Sequence, residues 1–186
     1  LVNEGYIIKK QGKGSIVYIK RNSLGLLTFK GFSDVLGDRK RKIRTIQLQD
    51  PILIRWPKNF FYPLNDEEQE AGSIFLNRLR FVEDNPVMLE HTWIPDVGLE
   101  GFLDQPLVND SLFTTLRSKF QIEVTNVFQD IRAVPADPDV AGMLDTYPSA
   151  PVLHIYRRYA TSRQKLMIYS ALYCNTDKYF ISNEFD

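Results

Sequence analysis

The chain has 186 residues, of which 44% are hydrophobic and 25% charged, so it is long enough for one substantial globular domain. Its single cysteine cannot form an internal disulfide and suits a reducing cytoplasm, and no apolar run is long enough to span a bilayer. Because only two scattered histidines accompany that cysteine, and nucleotide fingerprints are missing, we expect neither a metal nor another cofactor.

Positive charge is concentrated in the first third of the chain. Residues 1–55 contain 12 Lys and Arg against 4 Asp and Glu, a net charge of +8, and the rest contains 11 against 19, a net charge of −8. This asymmetry predicts that the basic end meets a polyanion, or alternatively that its lysines only keep a loop soluble. The chain begins with Leu1 instead of methionine, so we expect it to be a piece of a longer protein.

Residues 1–20 predict the end of a helix, closed by Gly5, and then a β-hairpin. The turn of this hairpin, Gln11-Gly12-Lys13-Gly14, is rich in glycine. Lysines beside glycines let ammonium and backbone groups approach phosphates, which gives non-specific, salt-dependent affinity. Residues 21–30 follow as a basic, flexible linker, and they are the predicted domain boundary.

Residues 31–65 predict short elements. Ser33, directly after Phe32, can cap a short helix whose free N–H groups would attract an anion. Residues 43–48 alternate as a strand. The aromatic-rich residues 51–65 are typical of core or dimer contacts, with a ligand role as the alternative.

A strand, a turn and a second strand in the middle of the chain carry most of the functional argument. Alternation places Arg78 and Arg80 on the same face of the first strand. If the turn holds a five-residue loop, Phe81 pairs with Val87 and Arg78 lies opposite Glu90. This arrangement predicts either a site for an anion and a hydroxyl or amine, or a solvated face of weak salt bridges.

The start of the next helix is a second candidate for anion binding. We expect Asn109 or Asp110 to cap it and Ser111 to lie in its first turn, where free N–H groups suit a phosphate or carboxylate. Alternatively, Ser111 is a simple capping residue. A long strand, a short helix opened by Asp137 and Pro138, and two or three strands follow. This order favours an α+β fold, an antiparallel sheet with flanking helices.

The stretch LVNEGYIIKKQGKGSIVYI resembles the last helix end and the wing of the winged helix-turn-helix domain in the GntR family of bacterial transcription regulators. The resemblance implies that residues 1–20 are the remnant of a DNA-binding domain whose recognition helix is not in this sequence. The DNA-contacting residues that it implies are Lys9, Lys10, Gly12, Lys13 and Gly14.

Residues 31–186 resemble the UTRA effector-binding domain of the HutC subfamily of those regulators. The motifs that carry the resemblance are Arg78-Leu79-Arg80 with Pro86, Glu90 and Ile94-Pro95; Ser111-Leu112-Phe113; Ala150 to Tyr159; and Asp177-Lys178-Tyr179. The resemblance implies a chorismate-lyase-like fold and a homodimer whose DNA affinity changes when a small molecule, often a phosphorylated sugar, binds.

The resemblance also implies a binding site. Its effector-binding residues would be Arg78, Arg80, Glu90, Ser111, Ser33, Phe32 and Tyr173. The arginines and serines, with nearby backbone amides, would hold the anionic end of the ligand, and Glu90 would accept hydrogen bonds from its hydroxyls. Relatives that bind amino-sugar phosphates carry a second glutamate where this chain has Ile168, so we expect a different sugar phosphate or an organic acid.

The leading hypothesis is therefore a cytoplasmic transcription regulator, not an enzyme, in which a small anionic effector modulates the binding of a homodimer to its DNA operator. One alternative is a chorismate-lyase-like enzyme, because a similar cradle and similar arginines also bind carboxylates. The other is a degenerate domain that serves only for dimerisation.

Overall fold

The computed structural model describes residues 7–10, 14–17, 42–177, 179 and 181, and for the first two ranges it describes the backbone only. Strands β1 (Ile7–Lys10) and β2 (Gly14–Val17) pair antiparallel, with Lys10 opposite Gly14. The predicted hairpin is confirmed in these ranges. Gly12, Lys13, the linker, Phe32 and Ser33 lie outside the described residues.

The main body of the described chain is one antiparallel sheet with short helices on its faces, which confirms the predicted α+β fold. Seven strands form this sheet in the order β3-β5-β6-β9-β8-β7, and β4 also pairs with β5. The elements are β3 (Ile43–Gln47), β4 (Ile52–Ile54), α1 (Asp66–Ala71), β5 (Ser73–Val82), β6 (Asn85–Pro95), α2 (Leu112–Phe120), β7 (Val124–Pro135), α3 (Pro138–Met143), β8 (Pro151–Thr161) and β9 (Met167–Cys174).

The hairpin of β5 and β6 has the predicted pairing of Arg78 with Glu90 but not the predicted turn. Phe81 pairs with Pro86, and Val82 with Asn85, so the turn is tighter than a five-residue loop. The left-handed backbone of Glu83, with a φ of 57°, permits this tight turn. A β-bulge between Arg80 and Phe81 then shifts the register by one residue, so both arginines keep their face.

The two faces of the sheet are covered by different helices. Leu112 and Leu116 of α2 pack on Ile74 and Leu76 of β5. We call this side of the sheet the α2 face. The opposite side, where Val140 of α3 packs with Leu79 and Leu89, is the α3 face. The alternation of β5 therefore sorts its residues between two separate cores.

The aromatic-rich segment before α1 packs on the α3 face, as expected of a core contact. The rings of Phe60 and Trp93 are 5.5 Å apart, edge to face, and those of Phe61 and Tyr156 are stacked at 4.4 Å. Asn65 then caps α1 through the N–H of Glu68, whose carboxylate accepts from the N–H of Asn65 in return. These contacts leave the α2 face free of this segment's aromatic core.

Candidate functional site

The α2 face carries a buried cluster of charged and polar side chains between two apolar cores. Ile74 and Leu76 of β5 belong to the core under α2, and Val82 belongs to a second core with Met88 of β6. Because β5 alternates, Arg78 and Arg80 lie between these cores on the same face. Two guanidinium groups thus lie in the middle of an otherwise hydrophobic face of the sheet.

Glu90 holds both arginines. The Nη2 atom of Arg78 lies 2.8 Å from Oε1 of Glu90, and Nε of Arg80 donates to Oε2 at 2.6 Å. All three side chains are buried, and Arg78 is only 2% exposed. The predicted solvated face of weak salt bridges is therefore wrong, because the partners are withdrawn from water and their charges interact strongly.

Two of the three nitrogens of the Arg78 guanidinium do not contact Glu90. The Nε and Nη1 atoms of Arg78 are buried, and neither has a hydrogen-bond partner among the described residues. Burial lowers the pKa of Arg78 to about 10, although Glu90 opposes that shift, so the guanidinium remains charged at neutral pH. A buried cationic donor without an acceptor costs free energy, and an anionic acceptor would remove that cost.

Glu90 is a carboxylate over the whole ordinary pH range. Burial alone would raise its pKa, but the charges of Arg78 and Arg80 outweigh burial and lower the pKa to about 2. The hydroxyl of Thr92 donates to Oε1 of Glu90 at 3.2 Å and also lies 2.9 Å from Oγ of Ser170. These hydroxyls extend the polar cluster from β6 onto β9.

A third arginine enlarges the cluster, and the sequence analysis missed it. Arg157 of β8 pairs with Ser170, donates from Nε to Oε1 of Gln129 at 3.2 Å, and donates from Nη1 to the hydroxyl of Tyr159 at 3.4 Å. Alternation along β8 was the sequence pattern that could have found Arg157. It was ambiguous because each face of β8 carries one arginine and one tyrosine, and only the pairing of the strands shows which arginine lies on the face of Glu90.

Ser111 lies at the start of α2, the helix that covers the face with the arginines, and no described contact joins it to Arg78 or Arg80. It is the N-cap residue, and its side chain accepts from the N–H of Thr114 at 3.3 Å. The prediction that Asn109 or Asp110 caps this helix is wrong, because both have left-handed backbones, with φ of 52° and 54°, in the short 3-10 helix before it.

Tyr173 is not brought together with the predicted effector-binding residues. It pairs with Leu89 and His154, so its side chain lies on the α3 face, opposite Arg78. There it stacks on His154 at 4.1 Å and lines a cavity of about 640 Å³ beside α3. The prediction that Tyr173 joins Arg78 in one site is therefore wrong. Leu172, its neighbour in β9, pairs with Glu90, and neighbouring residues of a strand point to opposite faces.

Ile168 does lie on the α2 face. It is fully buried, pairs with Tyr159, and belongs to the apolar core that includes Leu112 and Leu116 of α2. The polar cluster is thus bordered, two residues along β9 from Ser170, by an aliphatic side chain that can neither donate nor accept a hydrogen bond.

Among the described residues, no three His, Cys, Asp or Glu side chains are grouped closely enough to hold a metal ion. No helix among the described elements is long and apolar enough to cross a membrane.

Relatives with known names are transcription regulators. Residues 67–179 match the model of the UTRA domain family. The HTH-type transcriptional regulator GmuR of Bacillus subtilis (strain 168) is 25% identical over 160 residues, which are 83% of this chain and 65% of that protein. The Escherichia coli (strain K12) protein named "Probable fructoselysine utilization operon transcriptional repressor" is 23% identical over 180 residues, which are 96% of this chain and 72% of that protein.

Solved structures share the fold at lower identity. PhnF from Mycobacterium smegmatis has a TM-score of 0.74 and 15% identity, and the match covers 100% of this chain and 80% of that one. The effector domain of the same protein has a TM-score of 0.71 and 15% identity, with 89% of this chain and 99% of that one covered. These structures show the shared fold, whereas the family model and the named relatives confirm the predicted kinship with transcription regulators and do not favour the lyase alternative. The family model covers more than half of the sequence, and the chain therefore belongs to the UTRA domain family.

Proposed function

We propose that this chain is the effector-binding and dimerisation part of a cytoplasmic bacterial transcription regulator, and that the buried cluster on the α2 face binds a small anion. One observation carries the proposal. Arg78 is fully buried and charged, yet its Nε and Nη1 atoms have no partner among the described residues. Glu90 contacts only Nη2 of this guanidinium, so Nε and Nη1, which point in different directions, are each available to an acceptor oxygen of a phosphate or carboxylate.

The neighbours of Arg78 define the class of effector. Glu90, Thr92 and Ser170 offer acceptors and hydroxyls to a polyhydroxylated or otherwise polar body. Ile168 offers none at the border with α2. We therefore infer a sugar phosphate or an organic acid that is not an amino-sugar phosphate. The name of the E. coli relative refers to fructoselysine utilisation, which keeps a sugar joined to an amino acid among the candidates.

Regulation would follow from linkage between effector and DNA. In the proposed homodimer, Ser111, Ser33 and the backbone near Phe32 complete the anion site, and the wing with Lys9, Lys10, Gly12, Lys13 and Gly14 contacts phosphates of the operator. An effector changes DNA affinity only as far as it distinguishes two arrangements of the linker and the wing. The proposal assigns no catalytic residue to this chain.

A thermal-shift screen with inorganic phosphate, phosphorylated sugars, sugar acids and small carboxylates tests the binding proposal. A true effector at 100 times its dissociation constant should add about 2.7 kcal/mol to the free energy of unfolding. Arg78→Met should lose this stabilisation, whereas Arg117→Met, at an exposed position of α2, should keep it. Equal stabilisation of both variants would show that the α2 face does not hold the anion.

The regulatory step needs the full-length regulator. Its operator affinity should change at least several-fold in the presence of the effector found in the screen, and the change should disappear with Arg78→Met. Unchanged operator affinity despite saturating effector would refute the coupling. Turnover of chorismate by the wild-type chain would instead decide for the lyase-like enzyme.

A further inference from the structure

Strand β7 forms a long, open edge of the sheet. It has 12 residues and is last in the strand order, and β8 is its one partner among the strands that the structure describes. Most of its residues are exposed, including Phe128 at 46% and Ile131 at 45%. Monomeric proteins usually protect such an edge with lysine, proline, a bulge or a covering segment, and β7 has such features only near its ends, at Pro135 and at the irregularity between Val124 and Asn126.

The backbone groups that point out from this edge can be identified. Pro135 pairs with Pro151, and neither residue has an N–H group, so this is a position without cross-strand hydrogen bonds. The next residue, Ala136, donates to the carbonyl of Ala150 at 2.8 Å. Pairing with β8 is regular from Asn126 to Pro135, so even-numbered residues bond to β8 and odd-numbered residues point outward.

A side chain confirms this assignment at the beginning of the regular stretch. The N–H of Val127 donates to the side-chain oxygen of its neighbour Asn126 at 2.8 Å, as expected for a donor that faces away from β8. The outward backbone groups of Gln129, Ile131 and Ala133 follow it along the edge. These residues offer donors and acceptors in the pattern of an antiparallel ladder.

We propose that β7 is the interface of the homodimer, where two copies of this chain pair edge to edge, antiparallel about a two-fold axis, with Ile131 opposite Ile131 of the partner subunit. The two sheets then become one continuous sheet. Ile131 exchanges two hydrogen bonds with its copy, and Gln129 does so with Ala133 of the partner subunit. This inference rests on the homodimer of the proposed function and adds the surface that forms it.

Charge selects this register. A two-fold axis perpendicular to the sheet pairs only residues that share a face. The residue that lies on the axis, opposite its own copy, therefore defines the register, and the nearest alternatives to Ile131 are Asp130 and Arg132. With Ile131 at the centre, Asp130 lies opposite the partner's Arg132, and the symmetry repeats this pair. The two nearest alternative registers place like charges together: one puts Asp130 opposite its own copy, and the other puts Arg132 opposite its own copy. Like charges directly opposite each other are unfavourable, so both neighbours are penalised.

The exposed apolar side chains agree with the same register. Phe128 lies opposite Val134 of the partner subunit on the α3 face, and the two Ile131 side chains meet on the α2 face. Within its own chain, Asp130 accepts from the hydroxyl of Tyr62 at 2.9 Å, and Arg132 donates to that of Tyr156 at 3.1 Å. These bonds orient the carboxylate and the guanidinium on the α3 face and leave further acceptor and donor sites for the partner.

Charge reversal with rescue tests the interface, measured as the dimer dissociation constant by sedimentation at several concentrations. Arg132→Asp or Asp130→Arg places like charges opposite each other twice, so each should raise the constant about tenfold or more. The double change Asp130→Arg with Arg132→Asp restores opposite charges and should restore dimerisation. Lys58→Asp, exposed near β4, makes the same charge change elsewhere and should leave the constant unchanged.

Amide hydrogen exchange of the wild-type chain gives a test that needs no variant. The N–H groups of Gln129, Ile131 and Ala133 should exchange slowly in the dimer and quickly after dilution to monomer, while those of Phe128 and Asp130 stay protected by β8 in both. A monomer at every concentration, or a dimer in which the outward amides remain unprotected, would overturn the proposal. Effector binding measured on the same samples separates this result from the effector site, because a dimer formed elsewhere leaves the anion site on the α2 face intact.

Discussion

Arg78 and Glu90 face each other across β5 and β6, with Nη2 and Oε1 2.8 Å apart, yet Glu90 contacts only one of the three nitrogens of the buried guanidinium. Arg80, by contrast, meets Glu90 through two of its nitrogens, at 2.6 and 2.5 Å, and Thr45 through the third at 3.4 Å. Two arginines on one face thus share one carboxylate unequally. This difference is the reason why we propose a binding role for Arg78 and a structural role for Arg80.

Arg78→Met should abolish anion binding and should destabilise the chain less than Arg80→Met. The change removes a 2.8 Å contact to Glu90, but it also removes two buried N–H groups without a partner, each with a desolvation cost of about 1–3 kcal/mol, and Arg80 still pairs with Glu90. Urea denaturation without ligand, followed by titration with phosphate, measures both effects. Arg80→Met is the matched control and should destabilise the chain by about 3–5 kcal/mol. Similar destabilisation by both changes would show that Arg78 is purely structural.

Glu90→Gln should make the stability of the chain less dependent on acid. The pKa of Glu90 falls from its usual 4.5 to about 2 in the folded chain, so its contribution is fully present above pH 4.5 and is lost as the pH falls towards 2. At neutral pH the change leaves two buried cations without their carboxylate and should cost about 3–5 kcal/mol. Unfolding free energies of both proteins across this pH range measure the difference.

The same variant offers a check on the site. Because a bound anion replaces the lost negative charge, phosphate or sulfate should recover part of the stability of Glu90→Gln, and more than it adds to wild type. Sodium chloride at equal ionic strength is the control for general screening. Identical recovery with chloride and phosphate would argue against a shaped anion site.

His154 should stay neutral well below the usual pKa of histidine. It is 5% exposed and stacks on Tyr173, and burial, followed by the charge of Arg132 and the proximity of His91, lowers its pKa to about 4. The unfolded chain therefore binds more protons between pH 6.5 and 4, and stability falls as the pH drops through this window. His154→Phe preserves the stacking and should remove part of that fall. NMR titration of the ring protons measures the pKa directly, and a value near 6.5 would contradict the prediction.

Ile168 should behave as a core residue that borders the site. Ile168→Val should cost about 0.5–1.5 kcal/mol and leave anion binding intact, because it removes one methyl group from the core beneath α2. Ile168→Glu should cost more than about 4 kcal/mol, because it buries a carboxylate in a core whose described members are apolar apart from the hydroxyl of Tyr159, which already accepts from Arg157. Denaturation of the two variants distinguishes this position from a pocket wall, where glutamate would be tolerated.

Local periodicity was enough to place the arginines. A side-chain period of two put Arg78 and Arg80 on one face, and a plausible hairpin register put Glu90 opposite Arg78. The predicted pairing at the turn was wrong, because Phe81 pairs with Pro86 and not with Val87. The bulge after Arg80 compensates for this difference of one residue. The match between Arg78 and Glu90 thus survives because a bulge restores register, which no alternation pattern reveals.

The order of the elements from β5 onward, the antiparallel class of the sheet and the alternation within each strand follow from the sequence alone, because these depend on neighbours along the chain. The fold was needed to show that the charged cluster is buried, that Arg157 joins it, and that Tyr173 lies on the opposite face. Burial and facing depend on which strand lies beside which and on which helix covers each side. Alternation says that two residues share a face, but only packing says whether water reaches it.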